Sequence, residues 1–386
     1  MKSSFHGYIE EIPFICVDNF HDHYQIAYFL SHFHGDHVQG LDEMNNVWTS
    51  KLKKNKVFIY ASKVTNAIIE MEYPNLAPCL KNLDLGSNTI SIMQDGKEIF
   101  LNVKMLPAGH SLGSVMYLFE YNNQNILYTG DFRITRNTVA NYTHFHTNGE
   151  PINLDVLYVD TTFQDVPFFP RRVDVVRNAV HHIKNWLSRG DDHRVLLLTS
   201  AAYGYEYICN EIYKEIGIKT YVSAKYWKVY RQFPKSIYGI TDDSTSRIRL
   251  FNKFEKRQKE NSNLELTLHF SARKWTDPGK NYGKNIEEEF LNIKENEIDV
   301  CYSTHCGRDE LIYLINYLNP RKIVGFPEPY IANNDVILKQ DGFPSSESVA
   351  EVDFRITPKK RKLVRKRDVQ VGKKVSKNLL RDAFDW

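Results

Sequence analysis

The sequence of 386 residues predicts an α/β protein made of more than one structural unit. Short apolar runs with the character of strands recur through residues 1–160, with few helical patterns between them. After residue 167, helical patterns alternate with apolar runs, which is typical of a parallel sheet covered by helices. Polar residues that can bind metal ions follow several of the predicted strands directly. These observations place any functional site at strand ends.

The elements of the first part follow from apolar runs bounded by polar or turn-forming residues. The predicted strands are Phe14–Val17, Tyr28–Leu30, Val57–Tyr60, Ile99–Leu106, Val115–Phe119, Ile126–Tyr128 and Val156–Val159. The spacing of Val64, Ala67, Ile68 and Met71 predicts one helix over residues 62–72. This part is therefore rich in strands and poor in helices.

A second unit begins near a proline-bracketed turn at residues 167–170. Its predicted elements are a helix over residues 171–188, the strand Arg194–Thr199 and the helix Tyr203–Ile216. Further along the chain the patterns predict the strand Val300–Tyr302, the helix Asp309–Leu318 and the strand Ile323–Gly325, and they leave open which sheet these elements join. Residues 253–264 and 273–297 are polar and are expected to be surface excursions. The alternation of strand and helix favours a parallel sheet.

Composition excludes some classes of protein. No stretch approaches the ~18 uninterrupted apolar residues of a membrane span, and residues 1–14 lack the apolar core of a secretory signal. The five cysteines are unclustered, which indicates reduced thiols inside the cell. We therefore expect no association with a membrane.

Charge is concentrated in the C-terminal residues. Residues 351–386 carry a net charge of +7, whereas residues 1–350 carry −4. The basic run over residues 358–367 begins with Pro-Lys-Lys-Arg-Lys, a pattern typical of nuclear import that also adds nonspecific affinity for phosphate. We expect residues 346–386 to form a disordered basic tail, and helical spacing over residues 378–386 makes a partner-binding helix an open alternative.

The segment Ser31–His37 puts three histidines and one aspartate within six positions after an apolar run. Imidazole and carboxylate groups are costly to bury unless something satisfies them. Further polar residues follow other predicted strands: Asp18, His110, Asp131, Asp160 and His305. Such groups suit zinc and similar divalent ions, and a shared carboxylate can hold two ions roughly 3.5–4 Å apart.

The segment His-Phe-His-Gly-Asp-His resembles the HxHxDH motif of the metallo-β-lactamase fold, an αβ/βα sandwich with metals at its sheet edges. The resemblance implies a first metal held by His32, His34 and His110. It implies a second metal held by Asp36 and His37, with Asp131 as the bridging ligand. Asp18 is expected to orient these ligands.

Further motifs narrow the resemblance. Asp160 in Tyr-Val-Asp-Thr-Thr-Phe resembles motif A of the β-CASP nucleases, and His305 before a helix resembles their motif C. Residues 201–207, Ala-Ala-Tyr-Gly-Tyr-Glu-Tyr, resemble the Artemis-like nucleases of that branch. The resemblance covers about residues 1–325. It implies catalytic roles for Asp18, Asp36, Asp160 and His305, with Asp36 or an adjacent group handling the proton.

The implied architecture is a metallo-β-lactamase domain over residues 1–161 and 302–345, with a β-CASP α/β domain inserted over residues 162–301. The implied function is that of a nuclear DNA nuclease that uses one or two Zn²⁺ ions, with Mg²⁺ or Mn²⁺ as alternatives in turnover. Its implied substrates are DNA ends, overhangs and hairpins in double-strand break repair by non-homologous end joining. One departure concerns the loop after His110, where Ser111-Leu112 replaces the usual Cys-Pro and leaves that loop freer.

Three other functions stay open at this point. One is a 5′ exonuclease of interstrand cross-link repair, and another is an endonuclease that processes RNA 3′ ends. The third is a non-catalytic scaffold, which the complete set of candidate ligands disfavours.

Overall fold

The computed structural model describes residues 4–21, 24–94, 96–253, 255, 262–276 and 290–332. The strands are β1 Ile15–Val17, β2 Ala27–Leu30, β3 Phe58–Ser62, β4 Leu80–Leu83, β5 Gly86–Gln94, β6 Lys97–Pro107, β7 Val115–Tyr121, β8 Gln124–Tyr128, β9 His146–Thr147, β10 Glu150–Pro151, β11 Val156–Asp160, β12 Arg194–Thr199, β13 Thr220–Tyr221, β14 Ile240–Thr241, β15 Ile248–Asn252, β16 Glu265–Ser271, β17 Leu291–Lys294, β18 Glu297–Cys301 and β19 Lys322–Phe326. The α-helices are α1 Leu41–Glu43, α2 Thr49–Asn55, α3 Lys63–Glu72, α4 Arg136–Val139, α5 Arg172–Leu187, α6 Glu206–Ile216, α7 Ala224–Tyr230, α8 Arg273–Thr276 and α9 Arg308–Leu318. A π-helical turn, Met44–Trp48, joins α1 to α2, and 3₁₀ turns cover Pro74–Cys79, Thr143–Phe145 and Ser262–Leu264.

Two sheets pack face to face. The first is parallel throughout, in the order β1-β2-β3-β4, and the second has the order β19-β11-β8-β7-β6-β5. In the second sheet β11 pairs in parallel with β19 and β8, whereas β5 to β8 form an antiparallel meander. The apolar core between the sheets contains Phe29 of β2, Tyr117 of β7 and Tyr128 of β8.

Helices cover the outer face of each sheet. Tyr28 and Leu30, which alternate with the inward Ala27 and Phe29 along β2, pack with residues of α1, α2 and α3. On the other side, Leu311 and Leu314 of α9 lie in one apolar cluster with residues of β6, β7, β8 and β11. Burial on both faces explains why β2 is a continuous apolar run in the sequence. The layers are therefore helix, sheet, sheet, helix, which confirms the predicted αβ/βα sandwich.

A third sheet contains only strands between residues 194 and 301, in the order β14-β13-β15-β12-β16-β18-β17. Its pairs are parallel except for β17 with β18. Side chains of α5, α6 and α7 pack in one apolar cluster with those of β12, β15 and β16. This sheet is the parallel unit that the alternation of strand and helix predicted.

Some elements differ from the predictions. The helix predicted from Tyr203 begins at Glu206, because Gly204 has a φ of +110° that a right-handed helix cannot contain. The expected surface excursion over residues 273–297 contains α8, β17 and the start of β18. The strands β5 and β16 were not predicted. The tail over residues 346–386 lies outside the described residues.

Candidate metal centre

Ends of strands from all three sheets converge on one cluster. The cluster contains every site residue that the sequence predicted: Asp18, His32, His34, Asp36, His37, His110, Asp131, Asp160 and His305. Within the described parts of the chain, each group of three or more side chains able to hold a metal ion is drawn from this set. Residues spread over more than half of the chain thus share one small volume.

The first group consists of His32, His34, His110 and Asp131. His34 Nδ1 lies 3.1 Å from His32 Nε2 and 2.9 Å from His110 Nε2. Asp131 Oδ2 lies 3.5 Å from Nε2 of both His32 and His110. Ligand atoms about 2.0–2.2 Å from one tetrahedral zinc ion are roughly 3.3–3.6 Å apart, so this spacing is close to that of a shared ion.

The second group shares Asp131 with the first. Asp131 Oδ1 lies 3.1 Å from His37 Nε2, whereas Asp36 Oδ2 lies 3.7 Å from that nitrogen. His305 Nε2 lies 3.8 Å from Asp131 Oδ2, and Asp131, Asp160 and His305 form a further group with ligand spacing. The two oxygens of Asp131 therefore face different imidazoles, an arrangement that suits a carboxylate shared by two ions.

The ring nitrogens that face away from the cluster are all held. The pairs are His32 Nδ1 with Ser31 Oγ at 3.0 Å, His34 Nε2 with the Tyr203 carbonyl at 3.1 Å, His37 Nδ1 with Asp18 Oδ2 at 2.8 Å, His110 Nδ1 with the Thr304 carbonyl at 3.0 Å and His305 Nδ1 with Asp160 Oδ2 at 2.7 Å. The carbonyls can only accept, so His34 Nε2 and His110 Nδ1 donate, and the inward nitrogens of these two neutral imidazoles keep their lone pairs. This pattern is that of metal-binding histidines, and the residues present fit one or two divalent ions.

Asp18 organises two of the histidines from a fully buried position. Its carboxylate accepts hydrogen bonds from the Ser31 amide at 2.7 Å, the Ser31 hydroxyl at 2.5 Å and the Tyr128 hydroxyl at 2.8 Å, besides His37. Because the Ser31 hydroxyl donates to Asp18, its oxygen is free to accept from His32. Asp18 thus orients His37 directly and His32 through Ser31.

Burial and neighbouring charges shift the pKa values of the cluster in opposite directions. Burial, reinforced by His32, lowers the pKa of His34 to about 3. Burial also holds the pKa of His110 well below its usual range, against the opposing charge of Asp131. For His305, burial lowers the pKa, but Asp160 and Asp131 outweigh it and raise the pKa to about 9. His34 and His110 are therefore neutral at physiological pH, which is the state in which an imidazole can bind a metal ion.

Two buried features fix the loops that carry the cluster. Arg133 follows Asp131 and donates to the Ser303 carbonyl at 2.9 Å, the Pro170 carbonyl at 3.0 Å and the Glu310 carboxylate at 3.2 Å. It thereby ties the loop of His305 to the loop of Asp131. Gly130 has a φ of +52°, and a Cβ there would lie 2.6 Å from Ser31 Oγ. Glycine therefore permits the close approach of the loop after β8, which carries Asp131, to the loop after β2, which carries Ser31 and His32.

Sequence reasoning did not identify Ser31, Tyr128, Tyr203, Thr304 or Arg133 as parts of the site. Ser31 stands in the histidine segment and Arg133 stands two residues after Asp131, so their proximity was a usable signal. Tyr203 and Thr304 contribute backbone carbonyls, which have no signature in the sequence. Ser4 is a further addition, since its Oγ lies 3.2 Å from His37 Nε2.

The sandwich, the inserted parallel sheet and the histidine–aspartate cluster define a protein of the metallo-β-lactamase fold with a β-CASP insertion. The chain is Artemis-like. It is 30% identical to Protein artemis of Homo sapiens over 342 residues, which covers 82% of this chain and 48% of that protein. It is 33% identical to Protein artemis of Mus musculus over 344 residues, which covers 82% of this chain and 47% of that protein.

A more distant relative is the DNA cross-link repair protein SNM1 of Arabidopsis thaliana, 24% identical over 322 residues, with 77% of this chain and 60% of that protein covered. The chain spans about half the length of the artemis proteins that it matches. A solved structure of a protein of unknown function from Enterococcus faecalis shares the fold, with a TM-score of 0.50 and 15% identity. The match covers 78% of this chain and 75% of that chain. No model of a known protein family matches the chain.

Proposed function

We propose that this protein is a metal-dependent nuclease that hydrolyses phosphodiester bonds in DNA. The observation that carries the proposal is the set of inward ring nitrogens around Asp131, each on a histidine whose other nitrogen is held. Relatives named for DNA cross-link repair support DNA as the substrate. The similarity to artemis proteins supports processing of DNA ends, overhangs and hairpins during double-strand break repair by non-homologous end joining.

In this proposal His32, His34, His110 and Asp131 hold one ion, and Asp36, His37 and Asp131 hold a second. The donor set of imidazole and carboxylate suits Zn²⁺, and Mg²⁺ or Mn²⁺ are alternatives in turnover. When bound, such ions lower the pKa of a coordinated water and neutralise the charge that develops on the phosphate. The contribution of the protein is to fix the ligands, through Asp18, Ser31 and two carbonyls.

Asp36 and His305 are proposed to handle protons. The Asp36 side chain is 35% exposed while the other carboxylates of the cluster are buried, so it can exchange a proton with solvent. His305 presents Nε2 to the centre and is held at Nδ1 by Asp160. It can therefore hold or donate a proton at Nε2 on the side of the departing oxygen.

The proposed division of the chain follows the sheets. A metallo-β-lactamase domain over residues 1–161 and 302–345 contributes the two packed sheets, and a β-CASP domain over residues 162–301 contributes the third. The DNA is proposed to lie in the cleft between them. A nuclear location and contacts with repair proteins through the basic tail are also proposed, and both depend on residues outside the described ranges. Among the residues that are described, no helix is long and apolar enough to span a membrane.

A cleavage assay tests the proposal. The protein is offered a DNA hairpin, a duplex with overhangs, a 5′-phosphorylated single strand and a matched RNA, each with added Zn²⁺, Mg²⁺ or Mn²⁺. Hairpin or overhang cutting that Asp131→Asn abolishes, and that Asp192→Asn retains, is the expected result. Asp192 is a matched control because its exposed side chain makes only a surface ion pair with His193.

The other outcomes separate the remaining functions. Degradation only from a 5′ end indicates the exonuclease of cross-link repair, for which the SNM1 relative is the supporting observation. Cleavage of RNA alone rejects the assignment to DNA. Metal binding with no cleavage of any substrate indicates a non-catalytic scaffold.

A further inference from the structure

One ligand of the cluster depends on the inserted unit. His34 Nε2 donates to the carbonyl of Tyr203, which lies 169 residues later in the turn between β12 and α6. That hydrogen bond leaves His34 Nδ1 free to face His32 and His110. Whatever fixes the Tyr203–Gly204 peptide therefore fixes the tautomer and direction of a candidate metal ligand.

The peptide is held by the carboxylate of Glu206, which is buried with 4% exposure. The Gly204 amide donates to both carboxylate oxygens, at 3.1 and 3.0 Å, and the Tyr230 hydroxyl donates to Oε1 at 2.8 Å. The φ of +110° at Gly204 turns its amide toward Glu206. The aromatic ring of Tyr203 also packs edge-to-face on Tyr230. The turn is therefore fixed through its main chain by one side chain.

The same carboxylate is linked to the loop of a second ligand. A Cβ on Gly204 would lie 3.4 Å from Ser111 Cβ and 3.5 Å from the His110 carbonyl, so the turn packs directly on the loop after His110. Burial raises the pKa of the Glu206 carboxyl, and hydrogen bonds from its own amide, the Gly204 amide, the Tyr230 hydroxyl and the Leu112 amide of that loop oppose the rise.

Stabilisation of α6 alone does not explain this arrangement. Glu206 is the first residue of α6, where a carboxylate interacts favourably with the helix dipole even when it is exposed to solvent. Here the carboxylate is buried, and its donors are neutral amides and a hydroxyl. Burial of a carboxylate is costly unless the group is hydrogen-bonded and paired with a cation, so a carboxylate buried with neutral donors alone points to a role besides the stability of the helix.

We propose that Glu206 is a positioning residue for the metal centre, which it serves by holding the Tyr203–Gly204 peptide against His34 and the loop of His110. The inference rests on the proposed metal centre and assigns a role in it to the buried carboxylate of the inserted unit. It predicts that Glu206 controls metal affinity although it is not a ligand.

The test measures Zn²⁺ affinity by competition with a chelator, and the visible absorption spectrum with Co²⁺, for the full chain. Glu206→Ala removes the acceptor, and about 10-fold weaker Zn²⁺ binding with altered Co²⁺ bands is expected. Glu206→Gln keeps one carbonyl oxygen for the Gly204 amide and should restore part of that loss. Glu215→Gln, on an exposed position of the same helix, should bind like the wild type.

Unfolding of the metal-free variants by urea separates positioning from stability. Tyr230→Phe removes a donor to Glu206 but keeps the contact with Gly204, so it should lose stability and keep its Zn²⁺ affinity. If Glu206→Ala does not fold, weaker Zn²⁺ binding in Glu206→Gln than in Tyr230→Phe supports the proposal. Wild-type affinity and Co²⁺ bands in every Glu206 variant that folds would overturn it. Failure of the wild type to bind Zn²⁺ or Co²⁺ would instead overturn the metal centre itself.

Discussion

The carboxylate of Asp160 lies 2.7 Å from Nδ1 of His305, and this contact joins the end of β11 to the loop after β18 across 145 positions of the chain. The charges of Asp160 and Asp131 raise the pKa of His305 to about 9, although burial opposes them. Asp160 thus keeps Nδ1 protonated and determines which nitrogen faces the centre.

Asp160→Asn removes a negative charge beside His305, so the pKa of His305 in the metal-free protein should fall from about 9 toward its usual value near 6.5. An NMR titration of the imidazole signals measures this. Nuclease activity should fall roughly 10²–10³-fold, because an acid or base held in the wrong tautomer loses most of its contribution. A pKa that stays near 9 in the variant would contradict the assigned partner.

Ser31→Ala should weaken Zn²⁺ binding by about 10-fold with little change in the fold. The hydroxyl joins Asp18 to His32, and its loss leaves His32 Nδ1 without the acceptor that orients the ring. Competition with a chelator measures the affinity. Ser91→Ala is the control, because Ser91 lies on the edge strand β5, which two strands separate from β8 in the sheet. This variant should bind Zn²⁺ like the wild type.

Removal of metal by a chelator should lower the melting temperature of the wild type. An ion that binds only the folded state contributes about 2.7 kcal/mol to the free energy of unfolding when its free concentration is 100 times its dissociation constant. Asp131→Asn should show no such dependence on metal, since both groups of ligands share Asp131. Calorimetry with and without Zn²⁺ checks this, and an Asp131→Asn protein that still gains stability from Zn²⁺ would contradict a shared carboxylate.

Arg133→Met should destabilise the protein by about 3–5 kcal/mol, because it leaves the buried Glu310 carboxylate without its cationic partner. Arg136→Met is a matched control, since Arg136 also pairs with a carboxylate of α9 but is 56% exposed, and its loss should cost less than about 1 kcal/mol. Urea unfolding measures both. Equal effects would mean that the Arg133 contacts do not hold the loop of His305.

The sequence was sufficient for features that have a side-chain signature. The strand β2 and the last three residues of β8 are continuous apolar runs because both of their faces are covered, and both runs were predicted close to the observed bounds of their strands. All nine candidate site residues meet at one cluster, and each lies at the end of a strand or in the loop after it. The strand β5 was missed because half of its residues face solvent and only Ile90 and Ile92 are buried apolar side chains.

The supporting contacts could not be read in the same way. The acceptors for His34 and His110 are carbonyls of Tyr203 and Thr304, and every residue has a carbonyl. Which carbonyl reaches which imidazole depends on the path of loops from the inserted unit. The start of α6 was misplaced by three residues for a related reason, since the positive φ of Gly204 is set by its contact with Glu206.

Two of the histidines are thus oriented by groups that no point mutation can delete. A substitution at Tyr203 or Thr304 changes the side chain but keeps the oxygen that accepts from the imidazole. These positions can therefore vary during evolution without direct loss of the contact, as long as the loop keeps its course. Selection would act instead on the residues that determine the conformation of the two loops. A sequence comparison restricted to the candidate ligands would therefore overlook the part of the centre that is most sensitive to movement of the backbone.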